Sequence, residues 1–187
     1  MKECLLLVDL QNDYFPGGRM ELVGIDAAAK NAARLLDEFR AAELPVVHVQ
    51  HVATRPGATF FLPDTDGAQI HARVAPRPGE IVVVKHFPNS FRETELLKTL
   101  NASQLDTLVI CGAMSHMCID ATTRAAADLG FTCTVAADAC AARDLTFGDR
   151  VVKAADVHAA FMAALSAAYA TVAATEEIIL HGARVRA

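Results

Sequence analysis

No C-x-x-C pair occurs in this sequence, and its five cysteines, at positions 4, 111, 118, 133 and 140, are odd in number with several set inside apolar, strand-like runs. That usage does not read as a disulfide framework; reduced thiols in a cytoplasmic protein are expected. A basic stripe is missing too. The 17 Lys and Arg residues are scattered among 22 Asp and Glu, the net charge is −5, and a nucleic-acid surface is not expected. The apolar run from Leu5 to Val8 is too short for a signal-peptide core, and no later segment approaches a membrane span, so neither export nor anchoring is expected. Internal repeats and linkers are also lacking. A chain of 187 residues with 53% hydrophobic content can bury one core but is too short for two ordinary domains, so a single domain over residues 1–187 with a small-molecule partner is expected.

What the sequence does contain centres on residues 107–130, TLVICGAMSHMCIDATTRAAADLG. Thr107 to Cys111 reads as a buried strand, Gly112 as a sharp turn, and Cys118, Ala121, Ala125 and Leu129 as the spacing of a helix that stops at Gly130. A thiol at a helix N-terminus meets unpaired N–H groups and partial positive charge, which favour the thiolate. Position alone leaves Cys118 open to two readings, a nucleophile or a small buried hydrophobe.

The remaining segments alternate. Cys4 to Leu10 reads as a strand delivering Asp9 at its carboxyl end, where open α/β sheets hold their ligands; the competing reading is an Asp that caps the loop QNDYFPGGRM. Ile25 to Glu43 has Ile25, Ala28, Ala32, Leu35, Leu36 and Phe39 on one helical face, and Pro45 closes it. Val46 to Val49 reads as a strand and Ile81 to Val84 as a further buried strand, ending on Lys85. The long segment 52–80 between them, rich in Gly and Pro, is expected to wall a pocket with Phe60 and Phe61, or else to tuck these rings under itself. Glu93 to Leu100 is expected as a short helix, Phe131 to Ala136 as a strand, Asp138 to Phe147 as a loop, Arg150 to Thr171 as an Ala-rich helix with Phe161, Leu165 and Ala168 inward, and Glu177 to Leu180 as a last strand. This alternation indicates α/β architecture with a parallel sheet. Asp9 and Lys85, opposite in sign at two strand ends, read as a pair that tune each other or as a structural ion pair.

With LLLVDLQNDYF around Asp9, VVVKHFPNSFRETEL around Lys85 and LVICGAMSHMCIDATTRAAADLG around Cys118, followed by VAADACAARD, ADVHAAFMAAL and TEE, the chain resembles the isochorismatase-like cysteine hydrolases over nearly its whole length. The resemblance implies a three-layer α/β/α sandwich with a six-stranded parallel sheet in order 3-2-1-4-5-6. It implies Asp9, Lys85 and Cys118 as a catalytic triad, a cis peptide between Ala113 and Met114, and an oxyanion hole from the Met114 and Cys118 N–H groups. The implied reaction is hydrolysis of a C–N bond through a thioester on Cys118, with assembly as a homo-oligomer, dimer or tetramer. Phe15, His51, Phe60, Phe61, Phe87, Phe91, Met114 and His116 are expected to bind the substrate.

Ser115 and His116 are neighbours in a tight turn, read as pocket lining and not as a Ser/His pair. Nicotinamidases, one branch of the family, hold a metal with an Asp-x-His after the second strand; here that region is His48, Val49, Gln50 and His51, without the Asp. His51 and His71 alone are too few for a closed site, so no metal and no cofactor are expected. Two other functions compete: hydrolysis of the vinyl ether of isochorismate, which needs no cysteine at this place, and a binding protein on the same scaffold.

Overall fold

A computed structural model describes residues 2–186. Six strands form a fully parallel sheet: β1 (Glu3–Val8), β2 (Val46–His51), β3 (Ile81–Lys85), β4 (Thr107–Ala113), β5 (Thr132–Ala141) and, last in sequence, β8 (Thr171–Ala173). Their order is β3-β2-β1-β4-β5-β8, the topology expected from the resemblance. β1 is apolar on both faces because both are covered. Leu5 and Leu7 enter one core cluster and Cys4, Leu6 and Val8 the other. The first cluster is closed by α1 (Ile25–Ala41), whose residues 25, 28, 32, 35, 36 and 39 are all buried as their spacing predicts. Against the second pack Leu96 and Leu100 of α2 (Leu96–Ala102), Ala126 of α3 (Asp120–Asp128), and Met162 and Leu165 of α4 (Ala154–Ala168). No helix among the described residues is long and apolar enough to cross a membrane.

The second half departs from the sequence reading in ways with physical causes. β5 does not stop at Ala136. Its pairing with β4 jumps from Ile110↔Val135 to Gly112↔Cys140, so a bulge absorbs the residues around Asp138 that read as a loop, and the strand continues to Ala141. Arg150–Val152 (β7) leaves the expected helix to pair antiparallel with Leu145–Phe147 (β6). α4 begins only at Ala154, whose N–H is accepted by Asp144 Oδ1 at 2.8 Å. Its buried residues are Ala154, Val157, Met162 and Leu165, and Ala168 is exposed.

Glu177 to Leu180 is helical, within α5 (Thr175–Arg186), and the sixth sheet strand is Thr171–Ala173 just before it, which opens on the β-branched Thr171 and Val172. The TEE motif is a helix start: Glu177 Oε2 reaches back to the Ala174 N–H at 2.9 Å, while Asp138 Oδ1 accepts from the Thr175 N–H and hydroxyl at 2.7 Å each. The bulged loop of β5 therefore anchors the last helix.

Candidate active site

Chain direction across the sheet reverses between β1, which leads to β2 and β3 on one side, and β4, which leads to β5 and β8 on the other. The crevice at such a switch point lies at the strands' carboxyl ends, and three side chains converge there. Asp9 follows β1 with φ of 53°, a left-handed conformation that a short polar side chain tolerates. Its N–H is held by the Val49 carbonyl at 3.0 Å, and the turn aims its carboxylate inward. Lys85 ends β3, two strands away. A separation of roughly 10 Å in strand spacing is bridged by its long stem crossing the end of β2.

Lys85 Nζ lies 2.7 Å from Asp9 Oδ2, both side chains being fully buried. It also lies 3.0 Å from His51 Nδ1, 3.1 Å from the Phe87 carbonyl and 3.3 Å from Cys118 Sγ. The Asp9 contact is an ion pair buried on both sides, and no backbone or other side-chain donor among the described residues holds the Asp9 carboxylate oxygens. Burial works to lower the Lys85 pKa, but the charges of Asp9 and Cys118 outweigh it and the net shift is upward. Because an ammonium only donates, His51 must accept at Nδ1 and carry its proton on Nε2. Burial, then the Lys85 charge, lowers the His51 pKa to about 4, so the ring is neutral at physiological pH.

The thiol behaves otherwise than the sequence predicts. Burial pushes the Cys118 pKa up, the Asp9 carboxylate adds to the rise, and Lys85 only partly offsets it. Cys118 is not at the first turn of an ordinary helix either: it lies in a π-helical turn, Ser115–Ile119, that runs on into α3. The wider turn rotates the face that follows, so Thr122, Thr123 and Ala126 are buried and the expected Leu129 is 47% exposed. Upstream, Gly112 has φ of 126°, and a Cβ there would sit 1.9 Å from the Val8 carbonyl oxygen, so only glycine lets β4 approach β1 this closely. One residue further on, the Ala113–Met114 peptide is cis. The other cysteines are free and buried, and burial raises their pKa values, Cys133 to about 11 and Cys4 and Cys140 to about 12.

Cys118 faces a cavity of about 270 Å³. Of the residues expected to bind substrate, His51, Phe60, Phe61, Phe87 and Met114 line it, and the first part of the segment 52–80, from Ala53 to Phe61, supplies part of its wall. Phe15, Phe91 and His116 are not in the lining. Phe15 is stacked on His71 with centroids 3.6 Å apart, Phe91 packs toward Phe131, and the buried His116 meets the half-buried ring of Phe161 on α4. Ser115 is also away from the cavity, bonded to His158 Nδ1 at 2.8 Å and to the Ala141 carbonyl at 3.1 Å, which ties the nucleophile turn to α4 and β5.

Tyr14, Arg55, His86 and Met117 are in the lining and were not singled out from the sequence. Two further buried residues set the wall. Gln11 clamps the end of β2 through the His51 N–H and carbonyl, at 2.7 and 2.8 Å, and holds the Ala68 carbonyl at 2.7 Å. Asp13 accepts the Phe61 N–H at 2.6 Å and the Arg19 N–H at 3.1 Å. Polar residues in a loop sequence read as solvated, so no pattern marked these two as buried.

Asp9, His51 and Cys118 present potential ligand atoms within 4.8 Å of one another. The ammonium of Lys85, in contact with all three, already stands as the cation among them. His71, stacked on Phe15 and bonded to the Arg73 N–H through Nδ1, does not join His51.

Residues 3–177 match the model of the isochorismatase domain. Among curated proteins, the chain is 50% identical over 179 residues to the isochorismatase family protein YddQ of Bacillus subtilis (strain 168), covering 96% of this chain and 99% of that one. It is 30% identical over 144 residues to the maleamate amidohydrolase of Pseudomonas putida (strain KT2440), covering 70% and 68%. An isochorismatase-type protein from Oleispira antarctica, solved by crystallography, superposes with a TM-score of 0.93 at 56% identity and 96% coverage of both chains.

Proposed function

From its membership of the isochorismatase family of hydrolases, we propose that this chain cleaves a C–N bond of a small amide, carbamoyl or ureido compound through a thioester on Cys118. The observation that carries this reading is the contact of one buried ammonium with both the Asp9 carboxylate, at 2.7 Å, and the Cys118 sulfur, at 3.3 Å, beside a cavity of small-molecule size. The similarity to a maleamate amidohydrolase supports it.

The resting site holds a carboxylate, an ammonium and a neutral thiol. As the substrate carbonyl reaches Sγ, the thiol proton passes to Asp9 and the sulfur bonds to carbon, giving a tetrahedral oxyanion. Asp9 returns that proton to the nitrogen, the C–N bond breaks and the amine leaves, with the acyl group held as a thioester. Water then adds to the thioester carbon, giving its proton to Asp9; the C–S bond breaks, and the proton goes back to the sulfur as the acid departs. Lys85 keeps Asp9 oriented and compensates the negative charge while it sits on sulfur. The Met114 and Cys118 N–H groups are the proposed donors to the oxyanion, each worth about 3 kcal/mol in sites of this type.

A panel of small amides assayed for ammonia release tests the proposal. One or more is expected to be hydrolysed by the wild-type protein and none by Cys118→Ala. Retained turnover in Cys118→Ala would remove the thioester route. Release of pyruvate from isochorismate by that same variant would favour vinyl-ether hydrolysis in its place.

A further inference from the structure

The cavity in front of Cys118 is uneven in charge. Its lining has no carboxylate, and the buried Phe61 and Met114, with Phe60 and the 42% exposed Met117, make much of the wall apolar. Lys85 behind that wall is already matched by Asp9. Arg55 in the lining is exposed, and among the described residues no acid pairs with its guanidinium. The charge is close enough to be one of those acting on the His51 ring. A second guanidinium, Arg92, lies 3.6 Å over the ring of Phe87, another lining residue, and its acidic contact is the sequence neighbour Glu93 at 3.5 Å. An exposed guanidinium in the lining of a largely apolar, carboxylate-free cavity raises the positive potential there.

We propose that Arg55 anchors a carboxylate carried by the substrate at the end remote from the bond cleaved, so that the site takes amido acids in preference to neutral amides. A volume of about 270 Å³ accommodates a short chain, with the amide at Cys118, a hydrocarbon middle against the phenylalanines and the anion at the rim. The planar guanidinium suits this role because it meets both carboxylate oxygens at once. The assignment of the amide end rests on the function proposed above; the anion site does not.

Two readouts separate them. In the first, Cys118 is alkylated with iodoacetamide and followed by peptide mapping, with valerate or the neutral 1-pentanol, neither of which can be hydrolysed, present as protectant. Valerate is expected to protect at about tenfold lower concentration. Arg55→Gln should abolish that difference and Arg55→Lys should keep part of it. Equal protection by the two, no protection by valerate, or a difference that survives in Arg55→Gln would overturn the anion site. In the second, succinamate is compared with succinamide for ammonia release, and the expected preference for succinamate, again about tenfold in kcat/KM, should vanish in Arg55→Gln. A preference for succinamide, or one unchanged in Arg55→Gln, counts against the proposal. If neither amide is cleaved yet valerate protects through Arg55, the anion site stands and the hydrolytic reading falls.

Discussion

Lys85 and Asp9 meet at 2.7 Å with both side chains fully buried, although the strands that carry them are separated by β2. A buried ion pair of this kind is worth less than it costs to break, because removing one partner strands the other's charge. Asp9→Asn and Lys85→Met are each expected to lower stability in urea unfolding by about 3–5 kcal/mol, and the double variant should recover most of that loss. Losses that simply add would mean that the pair is not coupled. All three variants should lose activity by about 10² to 10⁴-fold.

Because the pKa of Lys85 is raised above its ordinary 10.5 in the folded protein, its contribution is complete below that value and is lost only as pH rises through the higher, native one. The stability gap between wild type and Lys85→Met should therefore stay constant from neutral pH to about pH 10. Urea titrations at intervals across that range measure it, and a gap closing near neutrality would contradict the upward shift.

The protonated state of Cys118 gives a test with opposite signs. Burial and the Asp9 charge raise the thiol above its ordinary 9.0, so alkylation by iodoacetamide should keep accelerating past about pH 9 without a plateau. Asp9→Asn removes a negative neighbour and should speed alkylation at pH 7 by about tenfold, whereas Lys85→Met should slow it. A plateau near neutrality in the wild-type protein would instead show a thiolate held by the helix end.

The fold and the reacting groups were legible because sheet strands leave continuous apolar runs, so a charge closing such a run stands out, as Asp9 and Lys85 do. Of these two strands burial was legible only for β1, since β3 is an edge strand whose Ile81, Val82 and Val84 are 41, 40 and 46% exposed where the sequence reads as buried. α1 was equally plain, since a single apolar stripe specifies it. Legibility failed where tertiary contacts overrode local pattern. The residues around Asp138 look like a loop because the β5 bulge breaks strand periodicity, and Glu177 to Leu180 resembles a strand until the Asp138 and Glu177 caps are seen to start a helix. The π turn around Cys118 displaces the helical phase, which a 3.6-residue count cannot register. Phe15, Phe91 and His116 were assigned to the cavity because aromatic residues near a site motif carry no mark of which side of the chain they fill.

Glu80 secures the opposite end of β2 and β3. Arg40 holds both its oxygens, at 2.7 and 2.8 Å, and His48 Nε2 lies 2.9 Å from Oε2. The Arg40 hydrogen bond chiefly, with the Arg77 N–H and His48 assisting against burial, brings the Glu80 pKa from 4.5 to about 2. A depressed carboxyl stabilises fully above its ordinary value and loses that contribution as pH falls through the native one. Glu80→Gln should therefore cost about 3 kcal/mol at pH 7, and the gap to wild type should narrow steadily between about pH 4.5 and pH 3 in urea titrations. A gap independent of pH would mean that the hydrogen bonds, and not the charge, carry the effect.

The wall of the cavity should fail through Asp13 before it fails through any residue that touches a ligand. Its carboxylate holds the Phe61 N–H at 2.6 Å, and Gly67 lies so close that a Cβ there would come within 2.2 Å of Oδ1. Phe61 in turn packs edge-on against Tyr14 with centroids 4.6 Å apart, and both rings line the cavity. Gly67→Ala must push the carboxylate or the wall aside, while Asp13→Ala leaves the Phe61 N–H buried without a partner at a cost of about 1–3 kcal/mol. Since neither change touches Asp9, Lys85 or Cys118, the expected signature is a rise in KM of about tenfold or more with a smaller fall in kcat, and Asp13→Asn, which keeps an acceptor oxygen, should recover part of the loss. A fall in kcat at unchanged KM would place the effect on the nucleophile and not on the wall.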